Sequence, residues 1–237
     1  MIIASALPAP RADAAPAAAV LRLARLENVP DQIVGGELLR VVYQRLDIAI
    51  EFVDLPAKRA LVESSQGRVD GEVHRILAVQ GEFPSLLPVQ ASINYIEPSA
   101  FVKQRELRID GWRSIAPYSI GIVRGVGSSE RGTSGMRKVE AVATMEQLMQ
   151  MLASDRIDVA VCDRFSGVLL SKKLHLDAVV RPLSPALEHI PLYHFLHERH
   201  RDLVPRVEKV VQEMAAGGEL ERLRREITLR MLREAER

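Results

Sequence analysis

The chain has 237 residues, 47% of them hydrophobic and 27% charged, which is enough apolar material for one large α/β domain or two small lobes with separate cores. Its 32 Lys and Arg against 31 Asp and Glu leave a net charge of +1, excluding a global field that would gather nucleic acid or an anionic membrane, and 4% aromatics leave little for base stacking. A single cysteine, Cys162, excludes a disulfide framework and a cysteine-based zinc site, and no apolar run approaches the roughly 18 to 20 residues of a membrane span.

Residues 1–19 are rich in Ala and Pro and hold no helical period, and Ala12-Asp13-Ala14-Ala15 has the small-x-small form of a signal-peptidase site. The segment is either the remnant of a secretory signal peptide or a disordered extension. Residues 20–26 alternate apolar and polar side chains and predict a first strand, with Glu27-Asn28 at its exit. A loop containing Pro30 and Gly35-Gly36 is expected next. Leu38, Leu39, Val42, Tyr43 and Leu46 recur at helical spacing, and residues 48–53, rich in β-branched types, predict a second strand. Pro56 stands where it would open the next helix, and residues 69–73 predict a third strand. The β-α-β-α-β order argues for a parallel sheet covered by helices.

The rhythm changes around residues 92–103, where Phe101-Val102 lies in an extended stretch, and a first crossing to a second lobe is placed there. The second lobe repeats the scheme. A strand at 118–123 leads into the turn Arg124-Gly125-Val126-Gly127-Ser128-Ser129, and another strand is expected near 139–143. Thr144-Met145-Glu146-Gln147 has the form of a capping box opening a helix to Ser154. A strand at 157–162, a helix at 165–174 and a strand at 178–183 follow. A second crossing is expected near 185–193, and after it two surface helices, 203–214 and 219–232, are split by Gly217-Gly218.

One pattern occurs in both halves. A helix runs into Gly67-Arg68-Val69-Asp70-Gly71 and another into Asp155-Arg156-Ile157-Asp158-Val159, so that laying Asp70 over Asp158 places Arg75 over Asp163. Matching strand ends then carry opposite charges, as a two-lobed protein gripping a zwitterion needs. In open parallel sheets ligands sit beyond the carboxyl ends of the strands, which directs attention to Glu27, to residues 72–75, to residues 124–129 and to Asp163. Gly127, Ser128 and Ser129 present backbone N–H groups and two hydroxyls suited to a carboxylate, or else form a tight turn with a serine cap. The Arg75 fork either holds a carboxylate or pairs with Glu72 or Glu82. Asp163 either takes a ligand ammonium or pairs with Arg164 or Arg124, and Arg59 is a cleft residue or a solvated helix side chain. His194, His197 and His200 straddle an extended stretch that does not put them on one face, so no metal site is expected. Cys162, within an apolar run, reads as a core residue.

The order of elements, the twin Arg-Val/Ile-Asp strands, the Gly125-Val126-Gly127-Ser128-Ser129 turn and the late Gly218-Glu219-Leu220 helix together resemble the family 3 extracytoplasmic solute-binding proteins, the amino-acid-type receptors of ABC importers. The likeness covers about 21–227. Leu55-Pro56-Ala57-Lys58-Arg59-Ala60-Leu61 with Gly67-Arg68-Val69-Asp70-Gly71 is similar to the Pro-Trp-Lys-Arg-Ala-Leu and Gly-x-x-Asp-Gly pattern of one branch, with Ala57 at the aromatic position. The resemblance implies an α/β, two-lobed type II periplasmic-binding fold, each lobe a mixed, mostly parallel sheet flanked by helices. Residues 20–100 with 191–237 would form lobe 1, and 101–190 an inserted lobe 2.

It also implies a binding role in the periplasm without cofactor or metal. The partners would be a small polar or zwitterionic solute and an ABC permease or membrane sensor, with no nucleic acid and a monomeric state. The solute would lie among Glu27, Arg59, Glu72, Arg75, Arg124, Gly127, Ser128, Ser129 and Asp163, the last matching the family's aspartate for the amino group. Val79-Gln80-Gly81-Glu82 stands where amino-acid-binding members carry Ser/Thr-Pro-Glu-Arg, so the usual carboxylate-clamping arginine is absent from its place. The alternatives are a solute-sensing module and a dehydratase-like enzyme on the same scaffold, using Glu72, His74 or Glu188 as general acid or base.

Overall fold

Leu21, Leu23 and Ala24 are buried while Arg22 faces solvent, and around this first strand the computed structural model assembles one of two five-stranded sheets. The structure describes residues 20–104 and 106–236, and the expectations for residues 1–19 lie outside the described residues. The first run of elements is β1 (Leu21–Leu26), α1 (Pro30–Gln44), β2 (Ile50–Leu55), α2 (Ala57–Ser65), β3 (Gly71–Arg75), the one-turn α3 (Val79–Glu82) and β4 (Leu86–Ile96). The second is β5 (Pro98–Lys103), β6 (Ile120–Val123), α4 (Gly127–Gly132), β7 (Val139–Val142), α5 (Met145–Ala153), β8 (Val159–Asp163), α6 (Arg164–Lys173) and β9 (Val180–Pro182). The chain then returns through β10 (Ile190–His197), α7 (Val204–Ala216) and α8 (Glu219–Glu234).

The sheet orders are β2-β1-β3-β10-β4 and β7-β6-β8-β5-β9. In each, three parallel strands are followed by two antiparallel ones, so β10 in the first sheet and β5 in the second hold equivalent places. Only Glu97 separates β4 from β5, and the chain changes sheet at that residue. One core, built on Leu23, Leu38, Tyr43, Leu196 and Val211, joins the first sheet to α1, α7 and α8. The second sheet carries cores on both faces, one around Ile115, Ile120 and Val161 and one around Phe101, Leu148 and Cys162.

The loop expected over Pro30 and Gly35-Gly36 is instead the opening of α1, with Pro30 in its first turn where a missing N–H costs nothing. The two glycines serve contact, not a turn. A Cβ on Gly35 would stand 2.2 Å from Cδ2 of His74, and one on Gly36 would press on the Phe52 ring. Two strands begin later than their patterns suggest, at Gly71 and Val159, because Asp70 and Asp158 are used as clasps. Asp70 exchanges hydrogen bonds with Arg22, its N–H donating to the Arg22 carbonyl at 2.6 Å and its Oδ2 accepting the Arg22 N–H at 2.7 Å. Asp158 does the same with Ser119, at 2.9 and 3.0 Å, and also accepts the Ser119 hydroxyl. The repeated sequence unit is therefore a repeated structural one, closing the start of β1 in the first sheet and of β6 in the second.

Candidate functional site

Asp163 ends β8 and caps α6. Its Oδ2 accepts the N–H and hydroxyl of Ser166 at 2.9 and 2.8 Å, and its Oδ1 accepts the backbone N–H of Glu97 at 3.0 Å. The carboxylate thus sits against the strand-to-strand crossing and clasps it. Glu97 in turn lies 3.8 Å from both Arg164 and His189.

Facing it from the first lobe is Asp31, one residue into α1. This residue was not singled out by sequence, although a carboxylate following Pro30 directly after a strand exit was a usable signal. Its side chain is 14% exposed, with the neutral ring of His74 at 3.7 Å. Burial and the repelling charge of Asp163 push its carboxyl up to about 7, against weaker attraction from Arg224 and Arg75. The buried carboxyl of Asp31 in the first lobe therefore feels the charge of Asp163 in the second.

Asp31 adjoins a hydrogen-bonded set of neutral groups. The Gln32 amide donates to Nδ1 of His74 at 3.1 Å and to the His74 carbonyl, leaving Nε2–H of His74 to donate to the Asp31 carbonyl at 3.2 Å. Burial holds His74 near a pKa of about 4, so it carries no charge at neutral pH. Asn94 donates to the same Asp31 carbonyl and accepts from Arg224 at 3.0 Å, and Arg224 lies 3.6 Å over the Tyr95 ring while donating to its hydroxyl. Nothing local in α8 marked Arg224; the packing of α8 on the first sheet brings it there.

The sequence-singled residues are only partly brought together. Arg75 ends β3 at the position equivalent to Asp163, but of its two open pairings the structure shows the one with Glu72. Nε of Arg75 donates to Glu72 at 2.9 Å, and a terminal nitrogen donates to the Ala57 carbonyl at 3.1 Å. Glu72 is fully buried and also accepts the Ser64 hydroxyl at 2.7 Å; burial pushes its carboxyl up while Arg75 and Ser64 oppose this. Arg59 is 69% exposed and lies 3.7 Å from Glu63, and Arg124 is exposed with its guanidinium on the Ala141 carbonyl. Glu27 is exposed at the exit of β1. Gly127, Ser128 and Ser129 open α4, both serines are buried, and the Gly125 N–H is taken by Glu130 at 2.7 Å. Of the acid–base candidates, Glu188 accepts the Trp112 indole N–H within the second lobe and is not gathered with Glu72 and His74. His194 is buried, donating from Nδ1 to the Glu72 carbonyl and accepting from Tyr43, while His200 pairs with Asp70.

The lobes also touch. Phe165, second in α6, packs against the first lobe's core, and α6 contacts both α1 and α8.

No family model matches the chain. A curated but uncharacterised protein of Shewanella oneidensis strain MR-1 is 22% identical over 178 residues, spanning 73% of this chain and 67% of that protein. Among solved structures, a histidine kinase sensor domain with similarity to periplasmic binding proteins superposes with a TM-score of 0.66 at 14% identity, covering 87% of this chain and 94% of that one. A probable amino-acid ABC transporter extracellular-binding protein of Bacillus subtilis gives a TM-score of 0.71 at 16% identity, covering 87% and 96%. The GluR0 ligand-binding core in complex with L-glutamate gives 0.72 at 12% identity, covering 91% and 99%. The chain has the type II periplasmic-binding-protein fold, two mixed sheets flanked by helices, as its resemblance implied.

Proposed function

We propose that this chain is an extracytoplasmic solute-binding protein, which captures a small polar metabolite bearing an ammonium group, an amino acid or related amine, between two hinged lobes for ABC-type import. One lobe is built on the sheet of β1 to β4 with β10 and the other on the sheet of β5 to β9, with Glu97 and the stretch before β10 as hinges. The observation that carries the reading is the approach of Asp31 and Asp163 from opposite lobes. Two carboxylates in a poorly solvated space repel unless a cation or a proton lies between them, and a ligand ammonium supplies that cation only when the lobes close. The fold shared with amino-acid-type binding proteins supports the same reading.

In this account Asp163 receives the ammonium, and Asp31 adds a second acceptor from the facing lobe. Ser128 and Ser129 offer hydroxyls, and Arg75, whose remaining terminal nitrogen is not used by Glu72 or Ala57, offers a donor for a ligand carboxylate. A thermal-shift screen of amino acids, diamines and small organic acids at pH 7.5 tests this. An ammonium-bearing solute is expected to raise the melting temperature with concentration, by an amount following RT ln(1 + [L]/Kd). A response confined to organic acids without an amine would overturn it.

The likeness to a histidine kinase sensor domain favours a second reading, in which closure is reported to a signalling partner. Loss of solute uptake on deleting the gene supports import; unchanged uptake with a lost transcriptional response supports sensing.

A further inference from the structure

On the second lobe, away from the facing strand ends, a recess of about 510 Å³ opens beside the N-terminal ends of β6 and β7. It is lined by Trp112, Arg113, Ala116, Gly132, Met136 and Arg137 among others, and none of its lining residues is acidic. The indole that forms one wall is fixed on two sides. Its N–H donates to Glu188 at 3.1 Å, and Gly132 packs so close that a Cβ there would stand 2.3–2.4 Å from three indole atoms. Glu188, the acid nearest this wall, is thereby engaged with the indole. Arg113 and Arg137 are exposed, and among the described residues neither has a carboxylate partner. The volume lies within the range of small-molecule sites, which combine apolar walls with a few placed polar groups.

We propose that this recess is a second ligand site, for a small organic anion whose carboxylate is shared by Arg113 and Arg137 and whose apolar body rests against Trp112 and Met136. Two arginines lining one recess match a carboxylate in charge and donor chemistry, and the fixed indole and thioether favour a hydrocarbon portion over a bare inorganic ion. The site is independent of solute capture between the lobes.

Trp112 is the chain's only tryptophan, so its fluorescence reads this recess directly. Titration of the full chain with hexanoate and phenylacetate is expected to give a saturable change, with hexanol and chloride giving none. The double variant Arg113→Gln/Arg137→Gln, at two exposed positions, is expected to weaken the apparent affinity at least tenfold without lowering the melting temperature. Calorimetry with the same two acids provides a readout that does not depend on the indole. A linear quench with no binding heat, an equal response to hexanol, or an undiminished response in the double variant would each overturn the proposal.

Discussion

Asp163 spends its acceptors on Glu97 and Ser166, so it caps a helix and clasps the crossing in addition to any ligand role. These functions separate by substitution. Asp163→Asn keeps one oxygen for the Ser166 cap but sets its amide NH2 against the Glu97 N–H, at about 1 to 3 kcal/mol in urea unfolding, whereas Asp163→Ala loses the cap as well and is expected to cost about 1 kcal/mol more. Equal stability losses in the two variants would show that the cap is not what holds α6. Asp31, His74 and His194 set a pH dependence whose sign can be worked out. Burial lowers both histidines to about 4 from 6.5, so the unfolded chain binds their protons first and stability falls as pH drops from 6.5 toward 4. Asp31, raised to about 7 from 3.8, acts oppositely, keeping its proton in the folded state and costing stability as pH rises through the same window. The three together leave a net loss of about one group, roughly 1.4 kcal/mol per pH unit between pH 4.5 and 6, and Asp31→Asn is expected to about double that slope. Unfolding free energies at three pH values check it; an unchanged slope in the variant contradicts the buried state of Asp31. At this scale the place of Asp163 at the end of a strand and the start of a helix was legible in the sequence, because that junction is a local pattern. The sequence did not disclose Asp31 or Arg224, whose meeting depends on contacts between elements far apart in the chain.

The elements were legible where one face is buried and one exposed, as in β1, α5 and α7, since alternation or helical period then appears in the residues themselves. The 11-residue β4 was missed because Pro88 interrupts it and its buried positions follow no simple period. The start of α1 was missed because glycines are weak helix formers; Gly35 and Gly36 are in the helix to let His74 and Phe52 approach. Gly71 has the same purpose in a strand. A Cβ there would lie 2.1 Å from the Phe195 carbonyl oxygen, where β3 pairs with β10, so only a bare Cα permits that pairing. Gly71→Ala is expected to destabilise the chain by about 2 to 3 kcal/mol, since the obstacle is backbone and cannot rotate away. A melting temperature within a degree of the parent would show that β10 shifts freely, and with it the return of the chain into the first sheet. Asp70 and Asp158, equivalent clasps in the two sheets, explain why the Arg-Val/Ile-Asp pattern occurs twice.

At the level of the whole molecule, the two-sheet architecture follows from the repeated β-α-β order, and the paired connections through Glu97 and before β10 leave the lobes joined at one side. What a sequence could not supply is the state of the space between them. Phe165 packs across the boundary, α6 touches α1 and α8, and the carboxylates of Asp31 and Asp163 face each other there. In the proposed capture, closure over an ammonium would relieve that repulsion and let Asp31 release its proton, so binding is predicted to be tighter above pH 7 than below it. The most direct measurement is a calorimetric titration, at pH 7.5, of the parent chain and of Asp163→Asn with the amine that most raises the melting temperature. One site per chain and at least a tenfold weaker affinity in the variant are the predicted result. Equal affinities in the two proteins would contradict capture of the solute between the lobes at Asp163.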